Sequence, residues 1–156
     1  MMQSEYPDIS ELVPHQGRMC LVSNVRDEQE GQLSVAITIE PDHPFLVPGE
    51  GVPTYVGLEM MAQSICAKDG LVQKRKGRAP AIGFLLGCQR YRTYRDWIRL
   101  GETVTVHVNS RLDAEELGSF ECRLQAESGD VLATGTLSVY RPRDLSGFLS
   151  NDEADA

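Results

Sequence analysis

TYVGLEMMAQSICAKDGLVQ, residues 54–73, is the stretch on which the fold turns. Ala, Met, Leu, Gln and Lys replace the β-branched residues common elsewhere in the chain, and apolar side chains recur around almost the whole circumference of a 3.6-residue helix. A helix apolar on nearly every side is a central, buried one. Lys74, Arg75, Lys76 and Gly77 close it with positive charge at its carboxyl end and a glycine just beyond, as the helix dipole and the left-handed cap favour.

Working outward, the neighbouring segments change period. Pro41, Pro44, Pro48, Gly49, Gly51 and Pro53 form a stiff loop ahead of the helix that is neither helix nor central strand. Before that loop, the apolar run 19–25 predicts a first strand, and Leu33, Val35, Ile37 and Ile39 alternate with Gln32, Ser34, Ala36 and Thr38 after a turn at Glu30 and Gly31. Ile9, Leu12 and Val13 predict a short amphipathic turn that ends at Pro14. Four more strands are predicted after the helix, at 82–91, 102–112, 119–127 and 131–140. Runs of strands around one helix make an α+β domain in which a curved antiparallel sheet wraps the helix. One sheet and one helix leave edges short of cover, so pairing with a second copy is expected.

At 156 residues and 41% hydrophobic, the chain is sized for one domain, read here as 1–149 with a polar, acidic, unstructured tail at 150–156. The first eight residues lack the basic start and apolar stretch of a secretory signal. Residues 52–67 are interrupted by Glu59, Gln63 and Ser64 and fall short of the roughly 20 apolar residues that span a bilayer. Cys20, Cys66, Cys88 and Cys122 are far apart in apolar runs, with neither a disulfide framework nor zinc spacing. A cytoplasmic protein without a membrane partner is expected. The net charge of -8 argues against nucleic acid, whose phosphates demand clustered basic residues. Charge is unevenly spread, however: residues 68–99 hold nine basic side chains against Asp69 and Asp96, and the rest of the chain carries the acidic excess. A solvated helix end and loop explains such a run, and so does a landing site for an acidic carrier or a phosphate arm.

Glu59 is the foremost candidate for chemistry. It lies near the helix start among Tyr55, Val56, Leu58, Met60, Met61 and Ala62, a setting expected to shield its carboxyl group from water. Burial disfavours the charged form of a carboxyl group, and a group so placed can keep a proton and donate it. Gln63, one turn on, is placed to orient it. The helix start, from Thr54 to Gly57, offers backbone N–H groups suited to polarising a thioester carbonyl. His15, His43 and His107 compete for the role of base, with His107 the weakest candidate among threonines on a strand. Eliminating water requires one group to remove a proton beside a carbonyl and another to protonate the departing hydroxyl. A neutral histidine and a carboxylic acid suffice. Nucleophile elbow, phosphate loop, H-E-x-x-H and paired C-x-x-C motifs are all missing from the sequence, and no cofactor is called for.

Three ordered motifs now carry a resemblance. Pro14-His15-Gln16-Gly17-Arg18-Met19 with Leu21-Val22, then Gly57-Leu58-Glu59-Met60-Met61-Ala62-Gln63, then Gly83-Phe84-Leu85-Leu86-Gly87 resemble the FabA/FabZ β-hydroxyacyl carrier-protein dehydratases over about residues 9–142. The ApeP-like branch, associated with aryl polyene synthesis, is the most similar: its pattern P-x-W/Y-V-G-x-E-x-M-A-Q is met by Pro53, Tyr55, Val56, Gly57, Glu59, Met61, Ala62 and Gln63.

The resemblance implies a hotdog fold and a homodimer or larger assembly, or a heterodimer with another hotdog dehydratase. Its substrate would be a 3-hydroxyacyl group on the phosphopantetheine arm of acyl carrier protein, in fatty acid or aryl polyene type synthesis. Glu59 carries over directly as the catalytic carboxylate, and Thr54, Tyr55, Gly57, Gln63 and Phe84 fall at substrate-binding positions. The histidine does not carry over from the main families, whose H-F-x-G-x-P-x-x-P-G loop would place it at Phe45, two residues after His43; Thr54 also stands where those families have a glycine. In the ApeP-like branch the recurrent histidine is that of the Pro-His motif, so His15 is the implied base and His43 the reserve. Arg75 and Arg78 are the expected carrier-docking residues of the basic segment. Two rival readings remain, a hotdog thioesterase and a non-catalytic dehydratase-like partner subunit.

Overall fold

The computed structural model describes residues 5–79 and 83–142. The tail expected at 150–156 and the start of the strand expected at 82 lie outside the described residues. In chain order the elements are β1 (Asn24–Gln29), β2 (Gln32–Thr38), β3 (Val52–Pro53), α1 (Gly57–Arg75), β4 (Phe84–Thr93), β5 (Trp97–Ile98), β6 (Thr103–Asp113), β7 (Leu117–Ala126) and β8 (Val131–Tyr140). Among the described residues six strands form one antiparallel sheet in the order β1-β2-β6-β7-β8-β4, and β3 pairs with β5 in a separate ribbon.

Alternation along the strands builds the wall that receives the helix. Leu33, Val35 and Ile37 of β2 lie opposite Val108, Val106 and Val104 of β6. Val106 and Val108 in turn oppose Leu124 and Cys122 of β7, and Phe120 opposes Leu137 of β8. All of these side chains are buried. The 19-residue helix, about 28 Å long, lays Met60, Met61, Ile65 and Leu71 against them. Each such side chain contributes roughly 1.5–3 kcal/mol by leaving water. The arrangement is a hotdog fold, a curved sheet around one long helix.

Three differences from the sequence reading matter for the site. The first strand begins at Asn24, later than the predicted 19–25, although Leu21 and Val22 are buried. Those residues are apolar because they lie beside the helix, downstream of a 3-10 turn at Gly17–Met19, and their burial comes from that packing. β3 and β5 have no counterpart in the sequence reading, since a two-residue strand leaves no periodicity to read. The helix is also less enclosed than its composition implies: Leu58, Glu59, Ala62 and Cys66 are only partly buried and Tyr55 is exposed. A single sheet covers one side of a helix, and the amino-terminal segment covers part of another.

That segment is held by a close approach. A Cβ at Gly70 would stand 2.0 Å from the carbonyl oxygen of Leu12, so only glycine lets the Ile9–Glu11 turn and its exit seat on the helix. His15 follows three residues later. No helix among the described residues is long and apolar enough to cross a membrane.

Candidate active site

Two segments far apart in sequence meet at the start of α1. Nε2 of His15, on the chain between the Ile9–Glu11 and Gly17–Met19 turns, stands 3.6 Å from Oε1 of Glu59. Gln63 fixes the carboxylate from beneath. Its side chain is fully buried; Nε2 donates to Oε1 of Glu59 at 3.1 Å and to the carbonyl of Met19 at 2.8 Å, while its Oε1 accepts from the N–H of Leu21 at 2.8 Å. One amide thus satisfies two backbone groups of the amino-terminal segment and aims the acid toward His15. The N–H of buried Leu21 would otherwise lack a partner.

The shielding expected of Glu59 is incomplete in the single chain, where 43% of its side chain is exposed and 28% of that of His15. The reason is the uncovered side of the helix. Met19, whose carbonyl Gln63 holds, and Tyr55, in the turn that leads into α1, are both exposed. Nδ1 of His15 is buried and has no hydrogen-bond partner.

His43 occupies the proline loop across a cleft of about 280 Å³ that Gly17, Arg18, Cys20 and Leu21 also line. Arg18 Nε donates to the carbonyl of Asp42 at 3.1 Å and ties the two segments together. His43 Nδ1 accepts the N–H of Phe45 at 3.1 Å, and its Nε2 is buried without a partner. Burial pushes the imidazolium of His43 below its usual range, against a smaller upward pull from Asp42. His107 is elsewhere, on the outer face of the sheet, with Nδ1 bonded to Ser34 Oγ at 2.9 Å.

A family model for ApeP-like proteins, described as ApeP dehydratase, matches residues 7–150. The chain belongs to the ApeP-like dehydratase family. One solved relative of this ApeP-like chain is the dehydratase heterocomplex ApeI:P from Xenorhabdus doucetiae, 28% identical, with a TM-score of 0.85 over 93% of this chain and 97% of that one. More distant structures share the fold alone. AziG of S. sahachiroi superposes with a TM-score of 0.60 at 10% identity, over 80% of this chain and 94% of that one. PaaI of E. coli, from a phenylacetic acid degradation operon, superposes with 0.58 at 12% identity, over 76% and 78%. No curated protein sequence matched the chain.

The remaining candidates of the ApeP-like chain are distributed unevenly around the pair. Thr54 is buried, and its N–H donates to the carbonyl of Asp96 at 3.0 Å while its hydroxyl donates to the carbonyl of Arg95. Both polar groups donate to the chain that follows β4, so Thr54 anchors the helix start. The N–H of Gly57 is likewise taken, by the carbonyls of Thr54 and Tyr55. Of the stretch from Thr54 to Gly57 expected to polarise a thioester, the first and last N–H groups are therefore engaged within the chain. Gly57 is needed for steric reasons, because a Cβ there would lie 2.7 Å from the hydroxyl of Tyr91 and 3.2 Å from Leu124. Phe84 begins β4 opposite Tyr140, at the edge of the sheet.

The basic segment divides. Arg75 is bound by Glu28, Lys74 by Glu11, Lys68 by Asp113 and Arg95 by Glu102. Arg78 is exposed three residues past the helix. Sequence reasoning missed Tyr91, whose hydroxyl donates to the carbonyl of Thr54 and supports the helix start from β4. No local pattern marks it, because β4 changes phase just there.

Proposed function

We propose that this chain dehydrates a 3-hydroxyacyl thioester to the trans-2-enoyl thioester, with His15 as base and Glu59 as acid. The observation that carries the reading is the 3.6 Å approach of His15 Nε2 to a Glu59 carboxyl group aimed by Gln63. Nε2 of neutral His15 removes the proton on the carbon beside the carbonyl. The electron pair forms the carbon–carbon double bond as the neighbouring C–O bond breaks, and the hydroxyl leaves as water with the proton of Glu59. Return of the proton from Nε2 to the carboxylate, across the short gap between them, readies both groups for the next turnover.

The substrate fits this reading as an acyl chain on the phosphopantetheine arm of an acyl carrier protein, with the exposed side chains of Met19 and Tyr55 available to it as apolar contacts. Carrier docking rests on Arg78 more than on Arg75, whose guanidinium is occupied by Glu28. The test is turnover of 3-hydroxyacyl carrier protein by the folded chain and by Glu59→Gln and His15→Ala, scoring enoyl product and free thiol separately. A fall of about 100-fold or more in enoyl formation by each variant is expected, the span typical of a lost acid or base. Parental rates in both variants sink the assignment, and thiol release in place of enoyl product turns it into a thioesterase.

A second reading is favoured by the exposed side of the helix together with the relative described as a dehydratase heterocomplex. In it, this chain dehydrates only beside a second hotdog dehydratase that covers Glu59. Inactivity alone with activity restored by co-expression of such a chain supports this reading; full activity of the homogeneous protein rules it out.

A further inference from the structure

β4 breaks its own alternation. Gln89 faces Thr136 and Arg92 faces Thr134 across the ladder, so Arg90 and Tyr91 together oppose the single residue Gly135. Arg90 takes φ 57°, the left-handed conformation for which such a bulge ordinarily uses glycine. The extra residue re-phases the strand. Cys88 and Tyr91 both crowd Gly135 on the helix side, where a Cβ would meet them at 3.2 and 3.1 Å, and Tyr91 reaches on to Thr54. Arg90 and Arg92 both turn to the opposite, outer face of the sheet.

There they meet Arg123, which alternates with the buried Cys122 and Leu124 of β7, around a pocket of about 440 Å³. Asn109, Thr134 and Thr136 add an amide and two hydroxyls to its wall, beside Tyr94 and Glu121. Among the described residues Arg90, Arg92 and Arg123 make no ion pair or side-chain hydrogen bond; the acid on this wall, Glu121, is 3.6 Å from Arg111 instead. Three guanidinium groups gathered around a single carboxylate that lies nearer Arg111 repel one another, and in a chain of net charge -8 the gathering is against the overall trend. A non-glycine residue in a left-handed bulge adds local strain, of the kind that collects at binding sites.

We propose that this pocket binds a phosphorylated small molecule carrying at least two negative charges, at a site separated from Glu59 by the sheet. Guanidinium forks match phosphate oxygens two at a time, and the hydroxyl and amide groups satisfy the oxygens that remain. The volume suits a ligand of nucleotide size. An acidic protein surface is the poorer occupant, since it would need basic side chains spread over a footprint of about 800 Å² and these three converge in one concavity.

The experiment is calorimetric titration of the full chain with pyrophosphate and with adenosine 3′,5′-bisphosphate, at low and at high salt. Saturable, salt-weakened binding is expected, reduced at least 10-fold in Arg92→Gln and in Arg123→Gln. Arg90→Gly separates binding from folding, because it relieves the positive φ: its melting temperature should equal or exceed the parent's while its affinity falls. The proposal is overturned if neither probe binds at millimolar concentration, or if all three variants bind as the parent does. Arginine-dependent binding of an acyl carrier protein lacking its arm, with neither probe bound, also overturns it and assigns the pocket to a protein partner.

Discussion

Gln63 donates from Nε2 to Oε1 of Glu59 and at the same time holds Met19 and Leu21 by their backbones. The acid and the segment that carries His15 therefore share one support. Gln63→Leu keeps the volume and removes all three bonds, leaving the Leu21 N–H and the Met19 carbonyl unsatisfied at about 1–3 kcal/mol each. Denaturant titration should show a loss of roughly 2–6 kcal/mol by that bookkeeping. The kcat for dehydration should fall more than KM changes, because the acid loses its aim while the approach for substrate remains. An unchanged kcat would detach Gln63 from the chemistry.

Gly57 and Tyr91 form a steric pair that a double-mutant cycle can resolve. Gly57→Ala drives a methyl group to 2.7 Å from the tyrosine hydroxyl and should destabilise by about 1–3 kcal/mol as an overpacked site. Tyr91→Phe removes the hydroxyl and its bond to Thr54. If the clash is with that oxygen, the double variant is more stable than the sum of the single losses allows. Additive losses would show that Leu124, at 3.2 Å, is the real obstacle.

At Gly70 the usual sign of a helix substitution reverses. Glycine to alanine inside an exposed helix stabilises by up to about 1 kcal/mol. Here the new Cβ would lie 2.0 Å from the Leu12 carbonyl and lift the segment that leads to His15. Gly70→Ala should therefore lower the melting temperature and depress dehydration together. A stabilised, active variant would show that the amino-terminal turn does not seat on the helix at Gly70.

Two histidines give the folding equilibrium a pH dependence. Burial lowers the His107 pKa from its ordinary 6.5, with Arg123 and Arg26 adding to the effect and Gln125 opposing it; burial lowers that of His43 as well. Above pH about 6.5 both are neutral in folded and unfolded chain alike, and their contribution is fully present. As pH falls below that value the unfolded chain takes up protons first, so stability declines until the lower folded-state values are reached. Urea midpoints measured from pH 7.5 to 5.5 should fall, and His107→Gln should flatten the slope. Midpoints that rise with acidification would contradict the assigned direction.

The elements that periodicity governs were legible in the sequence. Val104, Val106 and Val108, or Phe120, Cys122 and Leu124, have one reading each, and the helix follows from its composition and its Gly77 end. What stayed hidden depends on layers and on backbone atoms. Leu21 and Val22 look like strand residues because burial beside a helix and burial under a sheet select the same side chains. The exposure of Glu59 turns on whether a neighbour covers that side of the helix, which composition does not record. The partners of Gln63 in the amino-terminal segment are a carbonyl and an N–H, which leave no trace in residue identity. Motif order singled out His15 and Glu59, but their separation is set by how residues 14–23 cross the helix.

The bond from Leu21 to Gln63 joins positions 42 residues apart. A peptide spanning α1 could become helical and display its acid, yet it would hold no aimed carboxylate, because the restraint arrives from sequence made much earlier. During synthesis the leading residues must wait for the helix to emerge before either can be locked. The aimed carboxylate thus forms only once two segments distant in the chain have come together.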